Sequence, residues 1–171
     1  MSGISIRLAT VDDAAILPDI ERSAAKAFLA IAGLEWIASG TVMSAEQHRI
    51  YIDEGTVWVA ATGKRCFGFV TTAIYGDALH IIELSVEDGH QGKGVGRHLL
   101  ETAKIYATEN GLAALTLTTF RDLPFNEQFY RKLGYQTLDE TALPDRLADI
   151  LKFEIEHGLP GERRCAMRLP L

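Results

Sequence analysis

The sequence predicts an α/β (α+β) fold: a mixed, mostly antiparallel central sheet of about six to seven strands, flanked by helices. Three observations point to it. Residues 56–62 and 66–75 are runs rich in β-branched and aromatic residues, separated by the turn pair Gly63-Lys64, and Gly76-Asp77 turns the chain into a third such run, 78–86. That run continues through a glycine-rich loop and a helix-period stretch into another strand-like run, 112–118. A β-loop-α-β unit of this kind normally requires two parallel strands. Apolar residues at helical spacing precede and follow this block.

Taken in order, residues 4–8 alternate and read as a first strand, and Thr10 with Asp12 and Asp13 signals a helix start. Ile16, Ile20, Ala24, Ala27, Phe28 and Ile31 form a helical stripe containing Pro18, so the main helix is expected from Pro18 to Gly33. Residues 34–41 carry no clear pattern. Ser44 and Gln47 make a capping-box pair and Gly55 a stop, giving a short helix over 44–54. After the three strands and the loop, a helix runs to about Asn110 and ends at Gly111. Beyond the strand at 112–118, Asn126 is placed to N-cap a short helix through Leu133. Residues 135–138 read as a strand, Pro144 opens a helix ending at Gly158, and residues 163–169 form the last strand, with Cys165, Met167 and Leu169 on one side.

A length of 171 residues suggests one domain over 1–171, and 47% apolar content is enough for a sizeable core. No apolar run approaches the length of a membrane span, and the N-terminus lacks a signal-peptide pattern, so the cytoplasm is the expected location. Cys66 and Cys165 lie in strand-like runs without CxxC spacing and read as small buried hydrophobes; no metal is expected. The net charge of −6 argues against a nucleic-acid partner.

The stretch that carries chemistry is Gln91-Gly92-Lys93-Gly94-Val95-Gly96 followed by Arg97, after a strand ending in Val86. Strand, glycine-rich turn and helix start make a phosphate-holding arrangement. The first amides of a helix are unsatisfied, its macrodipole favours negative charge there, and glycines allow close approach. A P-loop is excluded, because its first glycine would fall at Glu87 and its Ser/Thr at Gly94. The dinucleotide fingerprint is excluded because its third glycine would fall at Arg97 or Leu99.

What remains, Gln-x-x-Gly-x-Gly, resembles the acyl-CoA pyrophosphate loop of the GCN5-related N-acetyltransferase (GNAT) superfamily. The element order resembles that fold over nearly the whole chain. A second motif, Asn126 to Tyr135, is similar to the family's late Asn … Tyr-x-x-Leu-Gly-Phe segment. The commonest form has Asn seven residues before Tyr, where this chain has Leu123. Asn126 stands four before Tyr130 in a Pro-aromatic-Asn loop like that of some small bacterial members.

The resemblance implies direct acetyl transfer from acetyl-CoA to a primary amine on a small molecule or peptide, without a covalent enzyme intermediate. It implies that Gln91, Gly92, Lys93, Gly94, Val95, Gly96 and Arg97 hold the pyrophosphate through main-chain donors. Leu84, Ser85 and Val86 would offer their strand edge to the pantetheine. Asn126 would contact the cofactor, and Tyr130 would serve as general acid beside the sulfur. For the base, Glu83, His80 and an ordered water stay open: Glu83 is a carboxylate in an apolar strand, and His80 lies near where some members keep a catalytic Glu. Trp36 and His48 are pocket candidates against a plainer role in packing. The segment 143–158 is one that in this family often closes over the acceptor or forms a dimer contact; Glu154, Glu156 and His157 could face a cation there, against a solvated helix face. A homodimer is the default assembly. The competing reading is a non-catalytic acyl-CoA-binding or sensor module on the same fold.

Overall fold

The computed structural model describes residues 3–171. Its strands are β1 (Ser5–Leu8), β2 (Val57–Thr62), β3 (Arg65–Tyr75), β4 (Ala78–Val86), β5 (Ala114–Phe120), β6 (Gln136–Thr137) and β7 (Arg164–Pro170). Its α-helices are α1 (Leu17–Ala24), α2 (Ala45–Asp53), α3 (Val95–Glu109), α4 (Glu127–Lys132) and α5 (Asp145–Glu156). The seven strands follow the order β1-β2-β3-β4-β5-β7-β6, a mixed sheet in which β4 and β5 run parallel. The chain divides into two compact units: one takes the chain up to Ala73 with Ile82–Tyr106, the other Ile74–Ile81 with Ala107–Leu171.

In the first unit, Arg7 grips Asp13 through two hydrogen bonds (2.8 and 3.0 Å), and Asp13 accepts the Thr10 N–H at 2.7 Å. The Arg7 guanidinium brings the Asp13 carboxyl down to about 2 in spite of its burial. Pro18 sits in the first turn of α1, as expected, but the α-helix stops at Ala24 and continues as a 3-10 helix, Ala25–Ala30. None of those six residues is fully buried: Ala25, Ala27 and Phe28 are half-buried and the other three exposed, so burial gives the α-helical ladder only partial support there. A second 3-10 helix, Glu35–Ser39, occupies the unpatterned stretch. The capping box of α2 forms: Ser44 Oγ accepts the Gln47 N–H (3.2 Å) and Gln47 Oε1 accepts the Ser44 N–H (2.9 Å).

The core of this unit joins Leu17 and Ile20 of α1, Ile52 of α2, Val57, Val59 and Ala61 of β2, and Cys66 and Phe69 of β3. The adjacent Gly68 faces the other way. A Cβ there would meet Val95 Cγ1 at 3.3 Å and Ser85 O at 3.4 Å, so the missing side chain lets α3 seat its first turn on the strand. Helices α1 and α2 therefore cover one face of β3 and α3 the other.

In the second unit, β5 pairs with β4 over Ala78↔Ala114, Leu79↔Leu115 and His80↔Thr116, and with β7 from Ala114↔Pro170 to Phe120↔Arg164. Asn126 does not cap α4 as expected: its side-chain Nδ2 donates instead to Thr119 Oγ1 (3.0 Å). The loop before it is pinned by Glu127, which accepts the Asp122 N–H (2.7 Å), Thr137 Oγ (2.6 Å) and Arg131 (3.0 Å). The α5 helix is tied down by Arg164, which donates to both Glu154 oxygens (3.1 and 3.0 Å) while its guanidinium lies 4.5 Å from the Phe120 ring centre.

Removing one partner of that nearly buried pair leaves the other charge uncompensated. Arg164→Leu is expected to cost about 3 kcal/mol in urea unfolding, whereas truncating the exposed Arg22–Asp19 pair is expected to change stability by less than about 1 kcal/mol.

Candidate active site

The first unit contains β4 from Ile82 onward, the glycine loop and α3 as far as Tyr106. The loop is braced on every side. The Glu87 N–H donates to Phe67 O (2.8 Å), and Asp88 N–H donates to Ser23 Oγ of α1 (2.9 Å). Glu87 pairs with Arg65 (2.9 Å), and the His90 ring stacks on Phe67 with centres 4.3 Å apart. Gln91 turns its side chain back, Nε2 donating to Val86 O (2.8 Å).

Between these braces the backbone alternates. Gly92 and Gly94 have φ of +75° and +85°, and the residues between and beside them do not. Such alternation turns successive N–H groups into one concavity, an anion-binding nest. Space opens in front of it, with nothing within 4 Å of a Cβ built on Gly92. The first helical bond of α3 runs from the His98 N–H to Gly94 O (3.1 Å). Among the described residues, the N–H groups from Gly92 to Arg97 donate to no protein acceptor. Lys93 and Arg97 are exposed beside them. The donor set suits a pyrophosphate.

Alternation along β4 decides what else it presents. The Glu87 N–H faces β3, and Ser85 O lies against Gly68 of β3, so odd-numbered main-chain groups turn to β3. Those of Leu84 and Val86 turn to the opposite edge. Ser85 thus differs from expectation: its backbone is committed to β3, and its buried side chain donates from Oγ to Glu83 Oε1 (3.0 Å). The ladder of β4 with β5 ends at His80↔Thr116, and β4 continues through residues 81–86.

Glu83 is half-buried. It acts on a residue that sequence reasoning missed, Glu21 of α1. Burial, and then the charge of Glu83, push the Glu21 carboxyl up to about 8, against the pull of a hydrogen bond from the Met43 N–H (3.3 Å). No pattern in α1 could have marked it, because the effect comes from another element. His48 is fully buried, its ring edge-on to Phe69 (centres 5.1 Å apart) with Nδ1 beside Thr71 Oγ1 (3.5 Å). Burial pushes it down to about 4. Trp36 is about half exposed on its 3-10 helix.

The second unit holds His80, Asn126 and Tyr130. His80 is buried, and its Nδ1 lies 2.8 Å from Thr116 Oγ1 and 3.3 Å from Arg146 Nη1. An arginine only donates, so Nδ1 accepts and the ring's proton sits on Nε2. Burial, reinforced by the Arg146 cation, pushes His80 down to about 4. Its lone pair is engaged and it resists protonation, which argues against it as a base. Tyr130 is 8% exposed, packed edge-on against Phe129 and Tyr135. Asn126 Oδ1 is buried without a protein partner among the described residues. Glu154 is spent on Arg164 and Thr118 rather than facing a substrate, and His157 stacks on Phe153 at 3.9 Å. An open groove of about 530 Å³ lined by Tyr75, Arg146, Asp149, Ile150 and Phe153 contains none of the residues assigned from sequence. Cys66 and Cys165 are free and buried, and burial pushes both thiols up to about 11. Among the described residues, no cluster of metal-ligating side chains occurs and no helix is long and apolar enough to cross a membrane.

A strand that outruns its parallel partner leads into this nest of unpaired amides, and comparison with known proteins identifies the fold. The family model described as acetyltransferase (GNAT) domain matches residues 53–137. The PaiA N-acetyltransferase of Thermoplasma acidophilum, solved with coenzyme A, shares the fold over 100% of both chains with a TM-score of 0.74 at 20% identity. YncA of Salmonella typhimurium, a putative acetyltransferase solved with acetyl-CoA, superposes over 99% of this chain and 95% of its own, with a TM-score of 0.68 at 17% identity. The N-acetyltransferase 8F1 of Rattus norvegicus is 25% identical over 115 residues, 63% of this chain; the match spans about half (52%) of that relative's length. Over residues 53–137 the chain matches the GNAT acetyltransferase domain, and it shares its fold with solved N-acetyltransferases.

Both buried histidines bind protons more weakly folded than unfolded, so the stability they permit is complete above about pH 6.5 and is lost as pH falls toward 4. His48→Leu is expected to lose less stability than the parent between pH 7 and pH 4.5, measured by urea unfolding at the two values.

Proposed function

We propose that the protein transfers an acetyl group from acetyl-CoA to a primary amine carried by a small molecule or peptide. The observation that carries this reading is the nest of unpaired amides from Gly92 to Arg97 at the end of β4. Main-chain donors there bind the pyrophosphate, and Lys93 and Arg97 add charge. Leu84 and Val86 offer backbone groups to the pantetheine amides, although Gln91 already occupies the Val86 carbonyl. The relatives solved with coenzyme A or acetyl-CoA support the choice of cosubstrate.

The chemistry asks three things of the protein: a proton must leave the acceptor ammonium, the tetrahedral oxyanion needs a donor, and the thiolate needs a proton. Glu83 is the base in this reading. It is half-buried, within reach of solvent, and oriented by Ser85, whereas the His80 lone pair is engaged. A β4 main-chain N–H near Val86 polarises the thioester carbonyl. The ammonium first gives a proton to Glu83, and the neutral amine then forms the C–N bond. As the C–S bond breaks, the thiolate takes a proton from Tyr130, a phenol that is protonated at neutral pH, while the nitrogen's second proton leaves to water, which restores Tyr130. The role of Tyr130 rests on the family motif, and that of Asn126 on the same motif and its buried, unpartnered Oδ1.

Calorimetry should show acetyl-CoA binding to the parent protein, and binding at least tenfold weaker for Gly94→Val, whose side chain would be strained at positive φ and stand in the nest. No binding by the parent would refute the reading. With an accepted amine, Tyr130→Phe is expected to lower kcat by about tenfold or more while leaving the Kd for acetyl-CoA within about twofold. Binding without turnover over a broad amine panel would favour the sensor module instead.

A further inference from the structure

Glu21 lies on a helix whose setting is fixed independently of any charge. Leu17 and Ile20 of α1 are buried in the core with Phe69 of β3, and Ser23 Oγ holds the Asp88 N–H just past β4. Glu83 lies on the same side. The Glu87 N–H bonded to Phe67 O makes those residues cross-strand partners, so stepping back by twos puts Ser85 opposite Phe69 and Glu83 opposite Thr71. Directly paired residues point their side chains to one face. Glu83 therefore points to the face covered by α1 and α2, where Glu21 is anchored by the Met43 N–H and His48 stands beside Thr71. His48 Nε2 is buried without a protein partner among the described residues, a second polar group on this face that the protein itself leaves unsatisfied.

We propose that Glu21 is a further catalytic residue, which together with Glu83 forms the receiver for the acceptor's ammonium group and for the proton it sheds. This rests on the acetyltransferase reading and names its substrate class: amines that arrive as cations. Two half-buried carboxyls on one face cannot both ionise freely, so near neutrality the pair holds one proton and one negative charge. No ion pair involving Glu21 is present among the described residues. Arg22 of α1 offsets little of the repulsion, and His48 of α2 is neutral. An incoming ammonium supplies Glu21 with a counter-charge. One N–H proton passes to the carboxylate, giving a neutral amine and a carboxylic acid; the nitrogen lone pair so freed attacks the thioester. As the C–S bond breaks, the nitrogen's second proton leaves to water while the thiolate takes its proton from Tyr130, which water then reprotonates. The acid returns its proton to water after the amide leaves.

Glu21→Gln is close to isosteric and retains an acceptor for the Met43 N–H, so it tests the charge rather than the fold. A carboxyl held protonated above its ordinary range weakens the folded state as pH rises from about 4.5 through 8. Glu21→Gln should therefore be more stable than the parent at pH 8, with no such gain at pH 4; equal or lower stability at pH 8 overturns the proposal without needing any acceptor. With a panel of primary alkylamines and a lysine-containing peptide, Glu21→Gln should lower kcat/KM for the amine at least tenfold. It should also displace the acidic limb of the pH profile and leave the KM for acetyl-CoA unchanged. Unchanged amine kinetics in Glu21→Gln, with acetyl-CoA still bound by the parent, would sink this proposal alone. Absence of acetyl-CoA binding would sink the acetyltransferase reading beneath it.

Discussion

A helix cannot satisfy its own first amides, and much of the first unit is arranged so that nothing else among the described residues satisfies those of α3. Four braces hold the loop before the helix: Gln91 on Val86, Asp88 on Ser23, Glu87 on Arg65 and His90 on Phe67. None of them uses an amide between Gly92 and Arg97. Gly68 lets the helix start lie against β3, and the two left-handed glycines aim the donors outward. Because the donors are main-chain groups, their chemistry is insensitive to side-chain identity. Only backbone conformation and open space are demanded, which is why glycine falls where it does.

Charge elsewhere follows a consistent rule. Asp13 sits against Arg7 and is pushed down to about 2. Glu127 is buried, yet Thr137, the Asp122 N–H and Arg131 outweigh that burial and hold its carboxyl below the usual range. Glu154 has Arg164. Against this background Glu21 is the exception: burial and a neighbouring carboxylate act together to push it up to about 8. Natural folds retain such costs mainly where the group has work to do, so the unmatched carboxyl is informative where the matched ones are structural. His80 is the converse case. Placed between Thr116 and Arg146, it is a buried hydrogen-bonding group, although its position in the chain made it one of the candidates for the base.

Local chemistry made several features legible in the sequence. Ser44 and Gln47 cap α2 through atoms three residues apart, the turn at Gly63-Lys64 closes the β2–β3 hairpin, and the glycine spacing of the loop alone excludes two phosphate motifs. The α-helix expected from Pro18 to Gly33 stops at Ala24 because periodicity does not reveal how deeply the stripe is covered, and Ala27 and Phe28 are only half-buried. Asn126 has the composition of a cap, yet Thr119 from another strand claims its side chain.

The sequence by itself determined the strand–loop–helix, the mixed sheet and the resemblance to acetyltransferases, because each is written in residues close together along the chain. Only the tertiary structure decided which carboxyls share a face, that Ser85 turns its backbone to β3, and that Glu154 is consumed by Arg164. Those outcomes depend on distances between segments far apart in the chain, and pairwise electrostatics and hydrogen bonding fall off too steeply with distance to be read before the segments are brought together.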